Sequence, residues 1–192
     1  MNVLYFHGFN SNENSVTVRM LRQNMPQLLS LSYDYVNADH AYKEISILIE
    51  KILNTDKDLT LAGTSLGGFW ADYFSQLHSL KCVIVNPVLH PSITLQKAIP
   101  FSPLKNFYSG EQRIFTYENV LAYKKYEVEI KPNPFRTVVL SKNDEVLDYK
   151  EAEKCYQGKG KIILTEEGHT IQDHKKIISI IKEATLQTEA TF

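Results

Sequence analysis

The stretch Gly63-Thr64-Ser65-Leu66-Gly67 is the first place where this chain could do covalent chemistry. Before it, Leu59-Thr60-Leu61-Ala62 is apolar and β-branched; after it, Leu66, Trp70, Tyr73 and Leu77 recur at helical spacing. A G-x-S-x-G turn between a strand and a helix holds its serine at the tip of a sharp, strained bend. Both flanks must then be small, because a side chain there would strike the strand or the helix. The amino end of the following helix favours negative charge beside the serine. The plainer alternative is an ordinary connection that happens to contain a serine.

A serine hydroxyl is a poor nucleophile at neutral pH and needs a base. The chain has six histidines. His169, in Glu166-Glu167-Gly168-His169, follows the last strand pattern and is the expected base; His174 falls inside the closing helix, facing away from the sheet edge. An acid should follow the penultimate strand, where Ser141-Lys142-Asn143-Asp144-Glu145-Val146 stands. Asp144 is expected to fix the tautomer of His169 and to stabilise its charged form. Its competitors are Asp148, which suits the cap of the next helix, and Glu145, which would point away if Asp144 points in. The backbone N–H groups of Leu66 and Phe9 are the expected oxyanion donors, with Gly8 letting the first loop turn. His7 is expected to buttress that loop by hydrogen bonds rather than to react.

These residues need a scaffold that brings strand ends together. Strand patterns run over Val3–Phe6, Leu29–Tyr35, Leu59–Ala62, Cys82–Val85, Thr137–Leu140 and Lys161–Leu164. Helical patterns lie between them: Val18, Leu21 and Met25 up to Pro26, then Ala41, Ile45, Leu48 and Ile52 behind an Asp39 cap. Further helices are read over Tyr149–Tyr156 and Ile171–Ala184. Such alternation predicts an α/β fold, a mostly parallel sheet of about six strands with helices on both faces. Ligands bind such sheets at the carboxyl ends of the strands. Between residues 91 and 135 the rhythm breaks, with Pro91, Pro100, Pro103, Pro132 and Pro134 among scattered aromatics. This reads as a short lid-like insertion of small helices and loops. Phe107, Tyr108, Phe115 and Tyr117, with Phe101, Tyr123 and Tyr126, either line a substrate pocket or pack the insertion's own small core. The polar tail from Thr185 to Phe192 is expected to fray.

The chain has 192 residues, 21 Lys plus Arg and 22 Asp plus Glu, giving a net charge of −1. Residues 1–192 are expected to form a single domain. The charge balance gives no pull toward nucleic acid or an anionic membrane. No stretch approaches the 18 apolar residues of a transmembrane span, and the first residues do not read as a signal peptide. Cys82 and Cys155 form no CxxC or metal-ligand spacing, which fits reduced thiols in a cytoplasmic protein. His169, Asp173 and His174 match no metal-binding pattern, so no metal is expected. Oligomeric state leaves no mark in the sequence.

The segments YFHGFNSN, GTSLGGFWADYF, NPVLHP, SKNDEVLDY and EEGHT occur in the order found in the YqiA/YcfP-like small bacterial esterases. The resemblance spans nearly the whole chain and is weakest from Pro91 to Phe135. It implies an α/β-hydrolase fold, with Ser65, Asp144 and His169 as the triad and Phe9 and Leu66 as the oxyanion hole. It also implies action on small or short-chain acyl esters without metal or organic cofactor. Two other functions remain open at this level: a binding protein on a hydrolase fold, and a thioesterase or acyltransferase using the same three residues.

Overall fold

Neighbouring residues along each central strand enter two different cores. Leu4, Phe6, Leu61, Cys82, Ile84, Val138 and Leu140 join one buried cluster, while Val3, Tyr5, Ala62, Val83, Val85 and Val139 join the other. This alternation is the period of a strand, and burial on both faces is what a parallel sheet requires. The computed structural model describes residues 2–187. In chain order the elements are β1 (Asn2–Phe6), α1 (Val16–Asn24), β2 (Leu29–Leu31), α2 (Ala38–Leu53), β3 (Leu59–Thr64), α3 (Leu66–His78) and β4 (Lys81–Val85). An insertion follows, with α4 (Pro91–Thr94), the two-residue strands β5 (Leu104–Lys105) and β6 (Gln112–Arg113), and α5 (Tyr117–Ala122). The chain then returns through β7 (Arg136–Ser141), α6 (Tyr149–Tyr156), β8 (Lys161–Thr165) and α7 (His174–Leu186).

Six strands form one sheet in the order β2-β1-β3-β4-β7-β8, and every pair in it is parallel. Helices α1 and α7 cover one face through Val18, Leu21, Ile177, Ile181 and Ala184. Helices α2, α3 and α6 cover the other through Ile45, Ile49, Trp70, Phe74 and Tyr156. The fold is that of an α/β hydrolase. Phe6 lies opposite Gly63, Thr64 opposite Val85 and Ser141 opposite Thr165, so the carboxyl ends of these strands are level. Strand order reverses at β1, whose neighbours are β2 and β3, and a crevice at such a switch point is where ligands enter this kind of sheet. At the opposite end, the buried Arg136 binds Asp72 at 2.7 Å and the carbonyls of Lys131 and Lys159 at 2.7 and 2.6 Å, tying β7 to α3.

The structure differs from the sequence expectations at five places. β2 stops at Leu31 rather than reaching Tyr35: the Asp34 carboxylate accepts the Val36 and Asn37 N–H groups, a local turn that ends the strand. The cap of α2 is Asn37, which accepts the His40 N–H at 3.0 Å. Asp39 instead binds Lys125 and Tyr126 of the insertion. Helix α7 begins at His174, not Ile171, because Asp173 caps it and Glu167 holds the Gln172 and Asp173 N–H groups outside it. The insertion contains a strand pair, β5–β6, as well as helices. The expected frayed tail is helical through Leu186, and its last residues, 188–192, lie outside the described residues. Among the described residues no helix is long and apolar enough to cross a membrane.

Candidate active site

Ser65 sits between β3 and α3 with φ 57° and ψ −121°, on the left-handed side that L-residues avoid. Three backbone hydrogen bonds hold it there. Its N–H donates to the Val85 carbonyl at 2.9 Å, and its carbonyl accepts from Phe69 and Val88, both at 3.1 Å. The flanking glycines are a steric requirement. A Cβ on Gly63 would lie 2.2 Å from the Gly67 oxygen, and one on Gly67 would lie 2.0 Å from the Phe6 oxygen. The Leu66 side chain is fully buried in the core. Its amide occupies the first position of α3, where the helix itself supplies no acceptor.

The loop after β1 approaches the same bend. His7 is 1% exposed, and its ring stacks on Tyr33 with centroids 4.4 Å apart. Nδ1 lies 2.8 Å from the Gly8 carbonyl, which can only accept, so Nδ1 carries the proton. Burial pushes the His7 pKa down to about 4, outweighing the Gly8 hydrogen bond, and the ring is neutral. The Tyr33 hydroxyl donates to the His7 carbonyl at 2.6 Å. His7 therefore braces the loop. Phe9 packs on Tyr35 and Phe115, with centroids 5.4 and 5.1 Å apart.

His169 and Asp144 meet across the loops after β8 and β7. His169 Nδ1 lies 2.8 Å from Asp144 Oδ2, leaving Nε2 as the other ring nitrogen. Asp144 Oδ1 accepts the Val146 and Leu147 N–H groups at 2.8 and 2.9 Å. Burial pushes the Asp144 pKa up, but the His169 bond and these two amides outweigh it, and the carboxyl stays below its ordinary value. Asp148 caps α6 through the Lys150 N–H, as its position suggested. Glu145 does not point away: its Oε2 accepts the backbone N–H of His169 at 2.9 Å. His174, at the start of α7, is not among the residues lining the pocket described next.

Ser65, Phe9 and His169 open on one cavity of about 570 Å³. Its walls are mostly apolar and include Val88, Leu95, Leu147 and Ile171. The insertion's aromatics divide. Phe107 and Tyr108 line the cavity, as does Phe101. Phe115 does not; it is 1% exposed, in the core against Phe9. Tyr117 is half-exposed at the start of α5 and lies off the cavity, while Tyr123 and Tyr126 are core residues. Sequence spacing missed Leu95, Leu147 and Ile171 as wall residues, because apolar residues beside helix ends look the same whether they face core or cavity. Among the described residues no group of three or more His, Cys, Asp or Glu is placed to hold a metal ion.

A UPF0227 protein of Yersinia enterocolitica is 26% identical over 185 residues, covering 94% of this chain and 96% of its own. Among solved structures, one from the metagenome-derived lipolytic enzymes LipS and LipT matches with a TM-score of 0.71 at 14% identity, covering 96% of this chain and 92% of its own. Est1E from Butyrivibrio proteoclasticus matches with a TM-score of 0.71 at 16% identity, covering 95% and 85%. These likenesses are of fold. Residues 2–185 match the model of the uncharacterised protein family UPF0227, and the chain belongs to that family.

Proposed function

We propose that this protein is a serine hydrolase of small or short-chain acyl esters. The observation that carries the reading is the 2.8 Å contact of His169 Nδ1 with Asp144, in a pocket shared with the strained Ser65. In the reaction, His169 Nε2 takes the Ser65 hydroxyl proton as Oγ bonds to the ester carbonyl carbon. The carbonyl oxygen becomes an oxyanion held by the amides of Leu66 and Phe9. The carbon–oxygen bond to the alcohol then breaks, and the imidazolium gives its proton to the leaving oxygen. Water, losing a proton to His169, attacks the acyl-serine; the carboxylic acid departs and Ser65 regains its proton. Asp144 keeps its charge throughout and fixes the Nδ1–H tautomer. Likeness to lipolytic and esterase structures supports the scaffold, and the mostly apolar cavity supports an acyl substrate.

The test is a panel of p-nitrophenyl esters and matched thioesters of graded chain length, run beside Ser65→Ala. Turnover should fall by about 10⁴-fold or more in that variant, as for loss of a triad nucleophile. A fluorophosphonate should attach at Ser65. Unchanged turnover in Ser65→Ala, or a folded protein that takes no label, removes the assignment. Thioester turnover above ester turnover would move the reading to a thioesterase on the same residues.

A further inference from the structure

Asn86, the residue that follows β4, is 3% exposed and has φ 42°. Asparagine is one of the few residues that tolerate this left-handed region. The bend turns its amide along the carboxyl edge of the sheet, and both ends of the amide are occupied. Oδ1 accepts the backbone N–H of Ser141 at 2.8 Å. Nδ2 donates to the Ser141 hydroxyl at 2.9 Å and to the His169 carbonyl at 2.9 Å, with a longer contact to the Gly168 carbonyl at 3.4 Å. Its own N–H donates to Val139 at 2.9 Å. One side chain thus joins the end of β7, three residues before Asp144, to the backbone of His169. The chain on either side of Asn86 reaches the nucleophile: the carbonyl of Val85, one residue before it, and the N–H of Val88, two residues after it, both bond to the Ser65 backbone.

We infer that Asn86 is a positioning residue that sets where the His169 imidazole stands, acting through the His169 carbonyl. The inference rests on the proposed triad, but its structural half does not need catalysis to be read. Asp144 fixes the ring's rotation through Nδ1, whereas the distance of the ring from Ser65 depends on where the His169 backbone is pinned. Two pins hold that backbone: Glu145 on its N–H and Asn86 on its carbonyl. The Glu145 bond is exposed, whereas the Asn86 bond is part-buried and its donor side chain is 3% exposed. A hydrogen bond that water reaches less easily meets less competition, so the Asn86 bond is the stiffer pin.

The experiment compares Asn86→Asp, Asn86→Gly and Ser141→Ala with the wild type. Aspartate keeps the shape, the left-handed backbone and the acceptor for Ser141, but loses the donor to His169. Glycine tolerates the same backbone and removes the whole side chain, so at least one variant should fold. Hydrogen exchange of residues 166–171 should speed up by about tenfold or more in the folded Asn86 variants, with β4 and β7 still protected. Hydrolysis of p-nitrophenyl butyrate should show kcat lower by about 10- to 100-fold with KM within about threefold, the cost expected of a base displaced by an ångström or less. Ser141→Ala, which cuts another branch of the same amide, should stay within about threefold of wild type in kcat. Wild-type exchange in the His169 loop of both Asn86 variants would overturn the inference. So would a Ser141→Ala loss as large as theirs. A wild type that is inert toward esters and fluorophosphonate overturns the proposed function instead, and the exchange measurement still decides the role of Asn86.

Discussion

Glu145 Oε2 lies 2.9 Å from the backbone nitrogen of His169, while the adjacent residue, Asp144, holds the ring of the same histidine. Two consecutive carboxylates thus grip one residue at two places. The preceding Asn143 adds its side chain to the Glu166 carbonyl. Three neighbours in sequence therefore strap the loop after β8 to the loop after β7.

Glu145 is exposed, and its pKa is lowered chiefly by the His169 N–H it accepts. Glu145→Gln keeps an acceptor at the same place, whereas Glu145→Ala does not. Loss of one exposed, charge-assisted hydrogen bond should lower kcat by about three- to tenfold in the alanine variant, with the glutamine variant within about twofold of wild type. Steady-state kinetics on one ester settles it; equal losses in both variants would show that charge, not the pin, matters.

His7 makes stability depend on acidity. Its ordinary value is 6.5 and its folded value about 4, so the unfolded chain takes up a proton that the folded chain refuses. The stability His7 contributes is fully present above pH 6.5 and is lost as pH falls from 6.5 to about 4. The loss should amount to about 3 kcal/mol across that window. Denaturant melts at a series of pH values, for the wild type and His7→Asn, should show the extra slope in the wild type alone. Parallel curves would mean that the ring takes up a proton when folded.

Gly67→Ala places a methyl 2.0 Å from the Phe6 carbonyl oxygen, and backbone cannot step aside as a flexible side chain can. We expect destabilisation of about 4 kcal/mol or more, or no folded protein, against about 1 kcal/mol for a typical substitution. Thermal unfolding measures it. A variant that melts within a few degrees of wild type would mean that the elbow is looser than its contacts indicate.

The aromatics of the insertion should separate by experiment as they do in space. Phe107 is 77% exposed at the cavity, so Phe107→Ala should alter the preference among acyl chain lengths and leave the melting temperature nearly unchanged. Phe115 is buried against Phe9, so Phe115→Ala should cost about 3–5 kcal/mol. Substrate panels and melts on both variants check this. A chain-length preference that Phe107→Ala does not move would take the insertion out of the pocket wall.

The centre of the sheet was legible because β3, β4, β7 and β8 each carry their own signal, an apolar and β-branched run with Gly or Asn soon after it. The expected nucleophile, acid and base each follow such a run, which is why Ser65, Asp144 and His169 could be named. What escaped depends on partners distant in sequence. Asp39 has the chemistry of a helix cap, yet Lys125 and Tyr126 engage it. Glu145 would point away from a site that Asp144 enters if the two alternated as on a strand, but β7 ends at Ser141 and in the loop beyond it both carboxylates reach His169. Asn86 reads as a strand terminator before Pro87, and nothing local shows that its amide spans to residues 141 and 169. The aromatics were ambiguous for a similar reason, since ring content does not reveal which rings α2 and α3 will cover.

Among the described residues β8 pairs with β7 alone, so the His169 imidazole hangs from the rim strand of the sheet, whereas Ser65 follows an interior one. Warming should detach that rim first and silence the protein while its centre is intact. Trp70, the single tryptophan and fully enclosed, reports on the centre. Ester turnover should thus vanish irreversibly or reversibly some degrees below the change in tryptophan emission; superimposed curves would show that rim and centre come apart together.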